Sequence, residues 1–291
     1  MDFNKYYEDR QKLVNTFLEK RLEKKGISRV DEAMAYSLLA GGKRIRPIIL
    51  MATADALGVS GYNFLPVACG LEMIHTYSLI HDDLPCMDDD EYRRGRLTNH
   101  KVFGEALALL AGDALLTLDF EVMLDQKNVP AEALIETVRE VAMCAGNFGM
   151  VGGQVIDLDS EGRQISEEEL RKLHAGKTGA LFIAAVRSGA RLSGAASDEL
   201  LALTKFADLL GLAFQITDDI LDVEGDAAQM GKAAHSDEKK HKSTYVTLYT
   251  LEGAKALAQK TVDEALGCLE MFGENAEALR EITKMMCGRK S

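Results

Sequence analysis

The chain has no tryptophan and only four prolines in 291 residues, and aromatic residues make up 6% of it. Scarce proline removes the usual interrupter of helices, while the many Ala, Leu, Glu and Lys residues are good helix formers, so a helical chain is expected. No stretch alternates apolar and polar residues convincingly, no internal repeat is visible, and no low-complexity linker divides the chain. Basic residues are outnumbered. The 34 Lys and Arg against 46 Asp and Glu give a net charge of −12 with no compensating basic face, which argues against nucleic acid as a partner. The five cysteines (Cys69, Cys86, Cys144, Cys268 and Cys287) are odd in number and lack CxxC spacing, so reduced, mostly buried thiols are expected. The first residues, MDFNKYYEDRQKL, contain no apolar signal-like core, and no apolar run approaches the ~18 residues of a membrane span. Together these absences lead to the expectation of a cytoplasmic protein without a stable membrane anchor.

What is abundant is aspartate, in one place. Residues 75–96 read HTYSLIHDDLPCMDDDEYRRGR; five of the nine residues from 82 to 90 are Asp, and Arg93, Arg94 and Arg96 follow at once. An acidic run is ordinarily a solvated loop. Here it follows an apolar stretch at 67–80 that looks buried, and a second cluster, Asp218-Asp219-Ile220-Leu221-Asp222, closes the apolar segment LLGLAFQITDDILDV. Asp218 and Asp222 are four residues apart, so a helix puts both on one face about one turn from each other. Like charges at that spacing are unfavourable, more so when half buried, and two such clusters imply a cation between them. Oxygen-only ligands point to a hard ion. Magnesium is usually held by one or two carboxylates plus substrate phosphates, so two sparse carboxylate sets facing each other would grip a diphosphate through shared ions.

Helical patterning is expected over residues 3–25, 30–39, 47–57, 64–84, 105–124, 131–149, 166–174, 179–190, 197–222, 251–272 and 276–286. The run 105–124 is nearly all apolar and is expected to be buried on most sides. Ser166-x-x-Glu169 opens its helix with a capping-box pattern. The fold expected is all-α: residues 1–291 as a single domain, a bundle of about ten or more helices around a deep central cavity with the aspartate clusters near its rim. Gly41-Gly42-Lys43-Arg44-Ile45-Arg46-Pro47 leaves two possibilities open. It could be a glycine-capped helix end with favourable positive charge, or a phosphate cradle in which Gly42 admits backbone approach and Lys43 and Arg46 make charge-assisted bonds.

Asp82-Asp83-x4-Asp88 with Arg93-Arg94-Gly95, and Asp218-Asp219-x2-Asp222 about 130 residues on, resemble the two aspartate-rich motifs of the trans-isoprenyl diphosphate synthases, nearest to the bacterial farnesyl diphosphate synthase branch. The resemblance implies an isoprenoid synthase-like fold and a homodimer. It also implies three magnesium ions per site with substrate bound, held by Asp82, Asp88 and Asp218. Catalytic roles are implied for these three and for Asp83, Asp219, Arg93, Lys177 and Lys232. GGKRIRP resembles the family motif that holds isopentenyl diphosphate at a metal-free site, which assigns Gly42, Lys43, Arg46, His75 and Arg94 there. His75 stands seven residues before Asp82, about two turns away on the same face. Arg93, Lys177, Thr178, Gln215 and Lys232 match contacts to the allylic diphosphate, and Lys242 matches a further family lysine. HAGKTGAL around Lys177 and Thr178 reads as a helix break flanked by Gly176 and Gly179, and Gln154 and Asp157 match another family motif lining the cavity or forming a buried pair.

The chemistry implied is ionisation of an allylic diphosphate, head-to-tail attack by the alkene of isopentenyl diphosphate, and proton loss to the departing diphosphate. The cavity must be apolar, because water would quench the cation. Product length turns on Tyr77 and Ser78, five and four residues before Asp82. Ser78 lies more directly under Asp82 on a helical wheel, but an aromatic at the Tyr77 position with the Pro85-Cys86 insertion resembles the farnesyl (C15) pattern, with C10 and C20 as alternatives. His235 and His241 stand where relatives more often have Gly, Val246 stands where Pro is usual, and Arg289 in the atypical tail receives no role. Three other functions are weighed. A terpene cyclase would not need Lys43 and Arg46, a non-catalytic prenyltransferase subunit would typically lose aspartates that are intact here, and a calcium buffer would carry EF-hand loops, which are absent.

Overall fold

The computed structural model describes residues 1–23, 28–225 and 243–288. The described chain is helical almost throughout. Helix α1 (Phe3–Leu22) starts at Asp2, whose carboxylate accepts the Lys5 N–H at 3.1 Å, and buries Val14 and Leu18. Arg10 pins it to the next layer by pairing with Asp55 at 2.6 Å and lying 3.3 Å over the Tyr6 ring. Helices α2 (Arg29–Leu38), α3 (Ile45–Ala56) and α4 (Leu65–Asp82) follow. Pro47 sits in the first turn of α3, where its missing N–H costs nothing. Helix α4 ends at Asp82, two residues short of the expected 84, because Pro85 cannot continue it.

Beyond α4 comes a feature the sequence pattern did not announce, a two-stranded hairpin of β1 (Tyr92–Arg93) and β2 (Arg96–Leu97). Its turn is Arg94-Gly95, both at positive φ (52° and 74°), the geometry favoured for two-residue hairpins. Two-residue strands are too short to show alternation. Helix α5 (Asn99–Phe103) then leads into α6 (Glu105–Leu124). Contrary to expectation, α6 is not buried on most sides. One face packs on α4 and α2, while Leu110 and Leu124 face outward.

Helix α7 (Ala131–Ala145) stops at Gly146, short of the expected 149, and α8 (Met150–Ser160), not delimited beforehand, carries GGQVIDL. Helix α9 (Glu167–His174) opens with the expected capping box: Glu169 accepts the Ser166 N–H at 3.0 Å, and Ser166 Oγ accepts the Glu169 N–H at 3.2 Å. The expected break at Gly176 and Gly179 is instead a single π-helical turn, Ala175–Gly179, joining α9 to α10 (Ala180–Leu192). Helix α11 (Ser197–Glu224) is, by length and composition alone, long and apolar enough to cross a membrane, which corrects the expectation that no run would be. It packs against α10 and α12, and its final turns carry Asp218, Asp219 and Asp222, which suits a core helix. Helix α12 (Tyr245–Gly267) begins six residues before the expected 251; Thr250, at φ 65°, kinks it at the expected start. Helix α13 (Glu277–Cys287) closes the described chain.

Two apolar clusters hold these helices. The larger gathers Leu18, Leu38, Ile49, Leu71, Phe182 and Phe206 with their neighbours from α1–α4, α6, α7, α10, α13 and the first half of α11. The smaller lies under α9, α12 and the second half of α11, around Leu170, Ile216, Ile220 and Tyr245. Each large side chain fully removed from water contributes about 1.5–3 kcal/mol, which fixes α4 and α11 as walls of the space between. Cys69, Cys86, Cys144 and Cys268 are free thiols, as expected, but of the cysteines only Cys69 is buried; Cys86, in the insertion after α4, is exposed.

Candidate active site

Between the two clusters lies a cavity of about 1550 Å³ lined by both aspartate motifs and by the glycine-flanked cations. The first motif is shaped by its loop. The Asp88 N–H donates to the Asp82 carbonyl at 2.9 Å and the Met87 N–H to the Leu84 carbonyl at 2.8 Å, so the Pro-Cys insertion folds back and returns Asp88 to the side of Asp82. From the second motif, Asp218 is exposed on the wall of the same cavity, while Asp219 is buried and accepts the Tyr245 N–H at 2.7 Å. Asp222, grouped with Asp218 by its spacing, is buried away from the cavity lining. Among the described residues, no three His, Cys, Asp or Glu side chains converge into a cage. Asp82, Asp88 and Asp218 offer only hard oxygens to the lining of one cavity, which fits an ion completed by substrate oxygens.

Asp83 departs from its sequence assignment. Its carboxylate lies 3% exposed behind the cavity wall and takes two bonds from Arg93 Nε, at 2.7 and 2.9 Å. Burial works against the Arg93 charge, but Asp83 first, then Asp90 and Asp82, more than offset it, so the guanidinium is a fixed cation on the cavity wall. Asp83 therefore orients Arg93 and does not itself face the cavity.

The cationic side is built at the start of α3. Gly42 stands at φ 124°, a backbone conformation that favours glycine, and the Arg94 guanidinium lies 2.7 Å from where a Cβ would stand. Arg94, at the hairpin tip, donates to the Gly41 carbonyl. Arg46 is pushed down to about 10 by burial and by Arg94, with Glu72 opposing; its Nε is buried with no hydrogen-bond partner among the described residues. His75 is held well below the usual imidazole range by burial, then by Arg46, Arg94, Arg93 and Arg44, so it is neutral at neutral pH. Lys43 lines the same wall. Mutually repelling cations around a guanidinium nitrogen that has no partner among the described residues suit a polyanion, as the phosphate-cradle possibility requires.

One residue of that motif was passed over. Arg44 is 2% exposed with its backbone left-handed (φ 51°), and it reaches Glu72 at 2.8 Å, the Leu38 carbonyl at 2.7 Å and Asn15 at 2.9 Å. It ties α1, α2 and α4 together at the root of the cradle. Nothing in GGKRIRP separates this buried arginine from the two cavity cations around it.

The π turn presents Lys177 and Thr178 to the same cavity. Gly153 allows it, since a Cβ there would lie 2.0 Å from the Lys177 backbone nitrogen. Lys177 pairs with Asp157 at 2.6 Å; burial opposes its charge, but Asp157, Asp82 and Asp88 outweigh that and raise its pKa. Gln154 also lines the cavity, so Asp157 is paired, but with Lys177 and not with Gln154. Gln215 on α11 donates through its Nε2 to His174 Nδ1 at 2.9 Å, and the His174 ring stacks on Tyr245. His174 was not singled out from sequence; its place three residues before Lys177 was the available signal. Tyr77 and Ser78 line the cavity on α4, the ring packed edge-on against His81 and the Ser78 hydroxyl donating to the His75 carbonyl at 2.9 Å. Lys232, Lys242, His235, His241 and Arg289 lie outside the described residues.

The polyprenyl synthetase family profile matches residues 27–286. The chain belongs to that family: it is a prenyltransferase. It is 43% identical to the farnesyl diphosphate synthase of Geobacillus stearothermophilus over 99% of this chain and 98% of that one. It is also 43% identical to the geranylgeranyl diphosphate synthase of Cyanophora paradoxa, over 98% and 96%. In structure, an FPP/GFPP synthase from Zymomonas mobilis superimposes with a TM-score of 0.89 at 36% identity, covering 98% of this chain and 99% of that one. The all-α architecture expected from the sequence is that of these relatives.

Proposed function

We propose that the chain condenses isopentenyl diphosphate head to tail with an allylic diphosphate, dimethylallyl and then geranyl, releasing diphosphate and stopping at farnesyl diphosphate. The observation that carries this reading is the gathering, in the lining of one cavity, of Asp82, Asp88 and Asp218 with the cations Lys43, Arg46 and Arg94. Asp82, Asp88 and Asp218 would hold magnesium. Bound there with substrate, it supplies charge to offset what builds on the leaving diphosphate. Arg93, Lys177, Thr178, Gln215 and Lys232 serve the allylic diphosphate, with Lys242 as a further candidate. Asp83 and Asp219 support them, the one by fixing Arg93 and the other by fixing the start of α12. The cradle holds isopentenyl diphosphate, and neutral His75 adds a hydrogen bond without adding repulsion. Breaking the allylic C–O bond sends its electron pair to diphosphate. The alkene then attacks the allylic carbon, and the proton lost goes to the diphosphate. A cyclase reading would leave the cradle without a substrate.

The direct test is incubation with labelled isopentenyl diphosphate and C5, C10 or C15 starters, with and without Mg²⁺, followed by sizing of the products. Elongation of C5 and C10 but not C15, only with the metal, is expected; no elongation of any starter would overturn the assignment. Tyr77 is 6% exposed at the cavity wall below Asp82, and its ring, not the small Ser78, blocks the growing tail. The variant Tyr77→Ala should shift the main product toward C20, and an unchanged profile would reject the ring as the floor. The geranylgeranyl relative makes C20 the second reading for the wild type.

The same reading includes a homodimer, with the protein acting in the cytoplasm. Its support is apolar surface on successive helices: Leu110 and Leu124 on α6, Ile135 and Met143 on α7, and Phe148, 85% exposed, after them. The variant Phe148→Asp should weaken assembly without unfolding the chain, because the side chain packs on little of its own protein. Light scattering behind size exclusion would show a shift toward monomer; an unaltered mass would remove Phe148 from the interface.

A further inference from the structure

Asp119 has no place in the chemistry above. It lies on α6 at 0% exposure, and neither carboxyl oxygen has a hydrogen-bond partner among the described residues. Burial pushes it up to about 8, so it is protonated at neutral pH, with no nearby cation relieving it. Its helix neighbours on the buried face, Leu115, Val122 and Met123, are apolar. A buried polar group without a partner is costly, and one kept in place calls for a reason.

Its position supplies one. Helices α4 and α6 run antiparallel in close contact. A Cβ on Gly112 would strike the His81 ring, and a Cβ on Gly70 would lie 2.6 Å from the Met123 side chain and 3.1 Å from the Asp119 carbonyl. Asp119 therefore sits between the levels of Gly70 and His81 on α4, the stretch that carries Tyr77. The Tyr77 phenol is pushed up to about 12 by burial first and next by Asp119, ahead of Asp82 on its own helix. Tyr77 lines the cavity and Asp119 does not, so the carboxyl stands behind the ring.

The geometry points to Asp119 as a second determinant of product length: its carboxyl, set in the α4–α6 seam behind the Tyr77 ring, makes the space beyond that ring polar and so closes it to a longer hydrocarbon tail. This rests on the prenyl-chain reading of the cavity. A tail that passed Tyr77 would be laid against an unpartnered carboxyl in a place without water, where an apolar wall would reward each added methylene. The ring is the steric stop, and the carboxyl is the stop that operates once the ring gives way.

The test separates polarity from volume. In the Tyr77→Ala background, Asp119→Leu puts two methyl groups where the carboxyl oxygens stand, whereas Asp119→Asn keeps the shape and the polarity. Asp119→Leu should raise the ratio of the next longer product to the preceding one by about tenfold over Tyr77→Ala alone, the scale on which small apolar contacts discriminate substrates. Asp119→Asn should leave that ratio where Tyr77→Ala has it. Identical product profiles for the Leu and Asn variants would overturn the proposal, as would a longer product from the Asn variant. Melting curves accompany both, and Asp119→Leu should melt no lower than its background because it removes an unpartnered buried polar group. The product of the wild type and of Tyr77→Ala tests the C15 reading separately, since the Leu–Asn difference is read as a ratio whatever length the wild type makes.

Discussion

Asp218→Ala and Asp82→Ala should each lower kcat by about 10³-fold or more, since a metal-held leaving group is stabilised by several kcal/mol and every ~1.4 kcal/mol is a factor of ten. The loss should fall on the chemical step. Both carboxylates line the cavity, Asp218 on its exposed wall, and neither belongs to an apolar cluster, so folding should survive. Single-turnover rates with geranyl diphosphate over a range of Mg²⁺ are the measurement, and melting temperatures close to wild type are the control. Turnover within about tenfold of wild type in either variant would dismiss metal-assisted ionisation by these residues.

Glu72→Ala should be the most destabilising single change near the cradle. Arg44 and Glu72 are paired at 2.8 Å with side chains 1% and 2% exposed, so removing the carboxylate leaves a buried, uncompensated guanidinium. Breaking such a pair costs about 3–5 kcal/mol, a large part of the 5–15 kcal/mol that holds a typical domain. Arg44 has a further demand on its partners, because a left-handed backbone costs a non-glycine residue about 1–2 kcal/mol that its bonds to Glu72, Leu38 and Asn15 must offset. Urea unfolding of Glu72→Ala measures the loss. The Arg44→Met/Glu72→Leu pair should recover most of it, because no charge is then left buried. A loss below about 1 kcal/mol in the single variant would show that the anchor is not needed. Since His75 lies three residues beyond Glu72 on α4, the single variant should also raise KM for isopentenyl diphosphate more than for the allylic partner.

Several particulars were fixed by residue type and order alone. Four prolines and a helical alphabet specify helices, Pro85 ends α4 beside Asp82, and Ser166 and Glu169 cap α9. Those signals are local or depend on composition, so they are legible without coordinates. Other features were decided only when distant segments met. Asp83 and Asp82 are adjacent in sequence, yet one turns inward to Arg93 and the other faces the cavity, because the hairpin brings that guanidinium against Asp83. Arg44 and Arg46 flank Ile45 in one motif, but α1, α2 and α4 claim the first and the cavity the second. The glycines around Lys177 suggested a break and produced a π turn, since close packing against Gly153 holds the helix continuous. Helix α6 is apolar enough to be buried all round, but no element of the described chain covers its Leu110 face. Periodicity and motif thus determined which elements form and what chemistry they bring. Direction and burial of each charged side chain depended on partners far away in the chain, and no single-sequence pattern encodes them.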